Sequence, residues 1–302
     1  MSKYDVAVIG GGPGGLSAAM YSGLRGLSVV TYEAETFGGQ LVNLYPSKPV
    51  TNFPAQIQVL SRDLALRLAD QAAGFGAELY EQRPVDHVRR RQGRFVMRTT
   101  GGEDEARALV LALGLGRFAP RRLGLPEEEH YLGRGLTYRL PPVEQIRAKK
   151  AVVVGGGDTA VDTALSLRKV ADVTLVHRGE RLSAYAFSRR MLEESGLAVV
   201  TGGKVVGLRG QGALESVIVE REGERLDLPA DLLLVSIGQT PDLAGIEAWG
   251  LGLAGPHIPV DSAMRVDRDG LFAVGDFATY PGKVRMIATA ASAAEAYLLS
   301  LS

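Results

Sequence analysis

The apolar residues of this chain fall into short runs that end on glycine. Residues 4–9, YDVAVI, are apolar at almost every position, as in a strand buried on both faces. They lead at once into Gly10-x-Gly12-x-x-Gly15 and a helix-like run, LSAAMYSGLRG, and a second strand is expected over Leu27–Tyr32, closed by Glu33. The same order returns at residue 149. A strand comes first, then Gly155-x-Gly157-x-x-Ala160, an amphipathic helix in DTAVDTALSLRKV, and a strand over Val173–Val176 followed by His177-Arg178. Elsewhere the pattern predicts a helix over 57–74, alternating strands over 78–112 about a turn at Thr100–Asp104, and a helix in SRRMLEESG. Two strands around VVGLRGQGALESVIVE precede a strand ending at Gly238, and the last segment reads as a strand, a Gly275-Asp276 turn, a loop and a small-residue helix.

The turn glycines have separate tasks. Gly10 permits the tight strand-to-helix turn, Gly12 lets backbone approach a pyrophosphate, and Gly15 lets the helix pack closely on the sheet. Pro13 is tolerated at the first helical turn, where its missing N–H is one of the donors a helix start leaves unpaired. Glu33 lies about 20 residues beyond Gly10, where a carboxylate bonds the ribose hydroxyls of an adenine dinucleotide. Together these features point to a dinucleotide site, the alternative being a glycine-rich turn in another α/β fold. At the second turn Arg178 stands where an acid would repel a 2′-phosphate. An arginine there makes charge-assisted bonds to that phosphate and favours NADP over NAD, unless it is simply a solvated residue at a strand end. One bound flavin and one transient nicotinamide nucleotide is the economical assignment.

Each glycine-ended strand closes a unit, so the chain is expected to cross between domains near 112–120 and 238–246. That gives a discontinuous first domain, 1–114 with 243–302, and a second, 115–242, inserted in it where chain ends lie close. The length of 302 residues suits two domains, and 38 glycines mark turns and close approaches. Lys plus Arg and Asp plus Glu are 34 each, which argues against binding nucleic acid through a net basic field. With no cysteine in the chain, disulfides, cysteine-held zinc or iron-sulfur clusters and dithiol chemistry are excluded. His87, His130, His177 and His257 are too scattered to suggest a metal site. No run of 18 apolar residues is available to span a membrane, and residues 1–4 lead straight into a strand without a leader pattern, so a cytoplasmic protein is expected.

The chain resembles the thioredoxin-reductase-like flavoproteins, and within them the thioredoxin-reductase-type ferredoxin/flavodoxin–NADP reductases. The resemblance rests on VAVIGGGPGGL at 6–16, FGGQLVNLYP at 37–46, VVVGGGDTAVD at 152–162, VTLVHR at 173–178 and LFAVGD at 271–276. It implies an α/β fold with two Rossmann-like dinucleotide-binding domains of three-layer ββα form. It also implies tightly but non-covalently bound FAD, NADPH as cosubstrate, ferredoxin or flavodoxin as electron carrier, and a homodimer. For FAD it points to Gly10, Gly12, Pro13, Gly14, Gly15, Glu33, Gly39, Gln40, Tyr45, Val85, Phe118, Asp276, Ile287 and Ala288. Glu33 holds the adenosine ribose, Gln40 and Asp276 the ribityl and pyrophosphate region, and Val85 meets the adenine through its backbone. Tyr45 and Phe118 lie at the isoalloxazine, Tyr45 stacking on the ring, and the helix start at Ile287 and Ala288 directs N–H groups toward charge gained on reduction. For NADP(H) it points to Gly155, Gly157, Asp158, Thr159, Ala160, His177, Arg178, Arg181 and Gly238. No side chain is assigned as a catalytic acid, base or nucleophile. Plainer readings of single residues stay open: Asp276 as a turn cap, Gln40 as a surface amide, Tyr45 as a packing residue and the last helix as close-packed core.

Three features qualify the resemblance. The stretch 135–150, where true thioredoxin reductases carry their dithiol, has no cysteine here. The related reductases continue into a C-terminal extension over the flavin, whereas this chain ends at Ser302, so a more open flavin face or another cover is expected. The basic cluster after the second strand is also diluted, with Gly179 and Ser183 in place of family arginines, and Arg181 is the candidate to compensate. The arginine and lysine pairs at 89–91, 121–122, 149–150 and 189–190 offer steering for an acidic carrier, or are a solvated face. An NAD(P)H oxidase or diaphorase, and a non-catalytic nucleotide-binding redox sensor, are the competing functions.

Overall fold

The structure, a computed structural model, describes residues 1–44, 46, 48–56, 58–114, 116–147, 149–242, 244–251, 253, 257–266 and 270–296. The chain divides into two compact units, Met1–Ala119 with Pro241–Ser302, and Pro120–Thr240.

In the first unit β1 (Lys3–Ile9) leads through the glycine turn into α1 (Pro13–Leu24) and β2 (Val29–Tyr32). There follow α2 (Ser61–Gly74), β3 (Glu78–Tyr80), β4 (Val85–Arg91), β5 (Arg94–Thr99) and β6 (Gly102–Leu111). The strand order is β3-β2-β1-β6-β5-β4. The first four run parallel, while β4, β5 and β6 make an antiparallel meander, so the long β6 belongs to both layers. The returning strand Leu271–Ala273 adds in parallel to the end of β6. β1 lacks alternation because both its faces are core: Ala7 and Ile9 enter one buried cluster, Val6 and Val8 another. The valine and isoleucine side chains each contribute about 1.5–3 kcal/mol by leaving water. The helices α1 and Ile287–Ala296 are rich in Gly, Ala and Ser and pack along one another. On α2, Leu64, Leu68 and Ala72 recur every fourth residue and are the buried stripe.

The second unit repeats the plan. Its strands are β7 (Leu136–Thr137), β8 (Lys150–Val154), β9 (Asp172–Val176), β10 (Ala198–Val200), β11 (Lys204–Arg209), β12 (Ser216–Arg221), β13 (Glu224–Pro229) and β14 (Leu232–Val235). Helix α3 (Asp158–Leu167) follows β8, and α4 (Ala186–Ser195) follows β9. A parallel sheet runs in the order β7-β14-β8-β9-β10, and β11-β12-β13 form a separate antiparallel sheet. Ala151 and Val153 of β8 bury against α3, while Val152 and Val154 share a core with Val205, Val217 and Val219 of the antiparallel sheet. Helices, parallel sheet and antiparallel sheet are the three layers, and both units are Rossmann-like.

Three local readings change. The helix expected over 57–74 begins at Ser61, because Val59 and Leu60 pair with Val50 and Pro49 as a short antiparallel ladder. The turn expected over Thr100–Asp104 is confined to Thr100 and Gly101, because Gly102–Asp104 already pair with β5. A third strand, β13, completes what the pattern suggested as a pair. Both meanders turn through a residue-glycine pair with positive φ at each position, Gln92 (51°) with Gly93 (75°) and Glu222 (52°) with Gly223 (82°), the geometry that matches the twist of a tight hairpin.

Candidate functional site

The first site grows from the end of β1. Gly10 adopts φ +105°, and a Cβ there would sit 2.4 Å from the Ala112 carbonyl oxygen, so no other residue fits. A Cβ on Gly15 would fall 1.9 Å from the Gly10 carbonyl oxygen, and one on Gly14 would lie 3.3 Å from the Gly275 Cα. Gly12 differs: among the described residues nothing beyond its chain neighbours lies within 4 Å of its missing side chain, and α1 begins at Gly12 with no side-chain cap. Gly39 turns its own missing side chain toward Gly12, 3.1 Å from the Gly12 Cα. Backbone thus lines an open cradle at a helix start whose N–H groups lack side-chain acceptors, which fits a diphosphate.

Glu33 ends β2 beside that cradle. Its Oε2 accepts the Gly11 N–H at 2.7 Å and its Oε1 the Glu35 N–H at 2.9 Å. Burial pushes its carboxyl above the usual range, while the backbone donors pull the other way. The segment after β2 returns to the turn: the Gly38 N–H donates to the Gly11 carbonyl at 2.8 Å, and Gln40 opens a single helical turn, Gln40–Asn43. The Gln40 amide donates to Asp276 Oδ2 at 3.4 Å, so two residues separated by most of the chain meet at one place. Val85 opens β4, paired with Thr99 and packed against the core. Ile287 and Ala288 begin the last helix, Ile287 against the cluster around Leu16 and Leu41. Tyr45 lies outside the described residues, and Phe118 is described in its backbone alone, within Arg117–Pro120. The cradle, the anchored carboxylate and the Gln40–Asp276 pair fit FAD.

Sequence reasoning missed Phe37 and Lys283. A Cβ on Gly11 would lie 2.3 Å from the Phe37 ring, so that ring closes the back of the turn. Lys283 donates to the Gly275 carbonyl at 2.9 Å. Neither carries a signal beyond proximity in sequence to the FGGQ and GD motifs. An apolar groove of about 470 Å3, lined in part by Phe37, Val42, Leu66 and Leu79, includes none of the turn glycines and is not where the chemistry lies.

The second site is built alike at the end of β8. A Cβ on Gly155 would lie 2.4 Å from the Ser236 carbonyl oxygen and 2.7 Å from the Ala160 Cβ, whereas one on Gly157 would meet only Ser183 Oγ, at 3.8 Å. The helix α3 starts at Gly157 without a side-chain cap, with Thr159 and Ala160 in its first turn. The loop after β9 is stitched to this turn. Ser183 Oγ and the Ala184 N–H both donate to the Gly156 carbonyl, at 3.1 and 3.0 Å. Asp158 Oδ1 accepts the Tyr185 N–H at 3.0 Å and the Ser188 hydroxyl at 2.7 Å. His177 lays its ring over Gly156, its Nε2 3.1 Å from the Arg181 carbonyl oxygen. Arg178 and Arg181 are exposed on this loop, with no acid partner among the described residues. Gly238 has φ +103° and accepts the Arg121 N–H at 3.0 Å. Open turn, anchored loop and two unpaired guanidiniums fit a phosphorylated nucleotide.

Each of the three arginine runs has at least one member facing a carboxylate. Arg89 to Arg91 lie on β4; Arg89 makes a bidentate pair with Glu103 at 2.7 and 2.8 Å, Arg91 pairs with Glu105, and Arg90 covers the Phe95 ring. Arg122 pairs with Glu129 at 2.8 Å, and Arg190 faces Glu194 at 3.9 Å. Among the described residues, no helix is long and apolar enough to cross a membrane.

Residues 4–296 match the pyridine nucleotide-disulphide oxidoreductase family. The chain is 40% identical over 296 residues to a ferredoxin–NADP reductase of Salinispora arenicola, covering 96% of this chain and 90% of that protein. It is 39% identical to a ferredoxin–NADP reductase of Frankia alni over 290 residues, covering 93% and 89%. Among solved structures, a thioredoxin reductase of T. acidophilum superposes with a TM-score of 0.90 at 24% identity, over 100% of this chain and 98% of that one, which speaks to the fold. The chain therefore belongs to the pyridine nucleotide-disulphide oxidoreductases, as an FAD- and NAD(P)-binding oxidoreductase of the thioredoxin-reductase-like fold that is homologous to ferredoxin–NADP reductases and has no redox dithiol.

Proposed function

We propose that this protein transfers electrons between NADPH and a one-electron protein carrier, ferredoxin or flavodoxin, through tightly bound FAD. The observation that carries the reading is the contrast between the two glycine turns: an anchored acid, Glu33, beside the first and unpaired arginines, Arg178 and Arg181, beside the second. In this reading residues 1–114 with 243–302 hold FAD and residues 115–242 hold NADPH. Glu33 accepts the adenosine ribose hydroxyls, Gly12, Gly14 and Gly39 leave room for the diphosphate, and Gln40 with Asp276 orients the ribityl side. Val85 meets the adenine, and Tyr45 and Phe118 border the isoalloxazine. Gly157, Asp158 and Thr159 shape the nicotinamide nucleotide's phosphate turn, while Arg178 and Arg181 take its 2′-phosphate. Bound FAD supplies the exchange between a two-electron nucleotide and a one-electron carrier. The absence of cysteine leaves the protein without a thiol relay, so electrons leave from the flavin. A homodimer in the cytoplasm completes the proposal.

The test is direct. The chromophore released by heat is expected to have the mass of FAD, and NADPH-dependent reduction is expected to saturate with ferredoxin or flavodoxin and to be absent with thioredoxin. FMN in place of FAD overturns the cofactor assignment. Turnover with oxygen or dyes alone, unaffected by either carrier, makes the protein an oxidase or diaphorase; nucleotide binding without turnover makes it a sensor.

A further inference from the structure

Lys283 is a half-buried cation beside the flavin-side turn to which no role has been assigned. Its loop is closed by the Lys283 N–H donating to the Tyr280 carbonyl at 3.1 Å, and its ammonium lies 4.9 Å from the centre of the Tyr280 ring. From there Nζ reaches back to the Gly275 carbonyl at 2.9 Å. Burial holds the ammonium's pKa below the usual lysine range, with the nearby Asp276 carboxylate working against that fall and Arg285 adding to it. No carboxylate lies within ion-pair distance of Nζ among the described residues, although Asp276 is its nearest acidic influence.

The contact matters because of what a peptide unit is. The C=O of Gly275 and the N–H of Asp276 belong to one planar trans group and point in opposite directions. Holding the carbonyl therefore aims the N–H. That N–H has no acceptor among the described residues, and it sits on the turn that meets Gly14 of the diphosphate cradle, 3.3 Å from Gly275 Cα to the missing Gly14 Cβ. Gly275 has φ +69°, in the left-handed region that glycine enters without strain, and lacks a side chain that would narrow its backbone choices, so the orientation of this peptide is set by the donors on its carbonyl. Among the described residues two donors hold the carbonyl: the Ala278 N–H within the turn and Lys283 from outside it. Lys283 alone also brings a charge, beside a carboxylate that would otherwise repel an incoming diphosphate.

We propose that Lys283 is a positioning residue of the FAD site, fixing the Gly275–Asp276 peptide so that the Asp276 N–H faces the dinucleotide, and offsetting the Asp276 carboxylate as the diphosphate enters. The proposal rests on the assignment of FAD to the first unit. Its test is FAD binding to flavin-free full-length protein, followed by quenching of FAD fluorescence at low salt, for the wild type, Lys283→Met and Lys283→Arg, with riboflavin as the uncharged probe and thermal melting of each flavin-free protein as the control. Lys283→Met is expected to raise the FAD dissociation constant by about tenfold to a hundredfold with unchanged melting, and to change riboflavin binding by less than about threefold. Lys283→Arg restores FAD binding to within about threefold of wild type, since arginine keeps donor and charge. Unchanged FAD binding in Lys283→Met overturns the proposal, as does equal loss for FAD and riboflavin, or equal loss in Met and Arg variants with lowered melting, which would mark a packing role. A wild-type protein that binds no FAD removes the underlying assignment, and the proposal with it.

Discussion

Glu33 works on the backbone of its own turn as well as on a ligand, and the two tasks give opposite pH dependences. Burial raises its pKa above the ordinary 4.5 for glutamate, so between that value and the raised one the folded state holds more protons than the unfolded state. The stability of the flavin-free protein should therefore fall as pH rises through this window and level off above it. FAD affinity should move the other way, since only the ionised carboxylate accepts ribose hydroxyls freely. It should weaken as pH falls through the raised pKa. Glu33→Gln is expected to flatten both profiles and to weaken FAD binding at neutral pH, measured by melting and by flavin titration across the acidic range. Profiles that keep their shape in Glu33→Gln would assign the titration to another group. For Arg178, exposed and without an acid partner, loss of a bond to a charged phosphate costs about 1.5–3 kcal/mol. Arg178→Ala should then raise the NADPH dissociation constant roughly tenfold to a hundredfold and leave that for NADH nearly unchanged. Equal loss with both nucleotides would show that Arg178 does not read the 2′-phosphate.

Elements form a harder level to read. β1, β2, β8 and β9 were visible because parallel strands buried on both faces are continuous apolar runs closed by glycine or a charge. β13 was not, since Glu224–Pro229 alternates polar and apolar residues at the edge of a sheet and reads as surface. The residue-glycine turns at Gln92-Gly93 and Glu222-Gly223 were the available clue to both meanders, weaker than an Asn-Gly pair. Glu33 and the turn glycines were legible because they act within one β-α-β unit. Phe37 and Lys283 were not, because each matters through one contact that only the folded chain creates. Asp158 belongs to the same class: the motif marks it as a nucleotide residue, and the structure also makes it the tie between α3 and the start of α4. Asp158→Ala removes both bonds and is expected to cost about 1–2 kcal/mol of stability. It should also weaken NADPH binding, since the loop it anchors carries Arg178 and Arg181. Asp158→Asn keeps an acceptor and should recover most of the loss. Melting and NADPH binding unchanged in Asp158→Ala would mean that Ser183 and Ala184 hold the loop without it.

At the scale of the whole molecule, charge decides how a protein carrier is met. Positive and negative side chains are equal in number, 34 of each, so no net field draws an acidic carrier from a distance. Four arginines of the runs that would supply a local field face carboxylates instead, Arg89 on Glu103, Arg91 on Glu105, Arg122 on Glu129 and Arg190 on Glu194. Three of these pairs are exposed and add little stability, while Arg91 covers the buried carboxylate of Glu105. Their larger effect is to cancel charge that the sequence alone displays as basic patches. Electrostatically steered association gains about ten- to a thousandfold in rate and loses it steeply with salt. With these four arginines paired, kcat/KM for ferredoxin or flavodoxin should fall by less than about tenfold as salt rises from low to well above physiological strength. Glu103→Gln would unmask Arg89; if that face meets the carrier, the variant should raise kcat/KM at low salt and make its salt dependence steeper. Stopped-flow or steady-state reduction of each carrier over a salt series provides the measurement, with ferricyanide as a small anionic control. A steep loss with salt in the wild type, absent with ferricyanide, would show that the carrier docks on unpaired cations away from these four ion pairs.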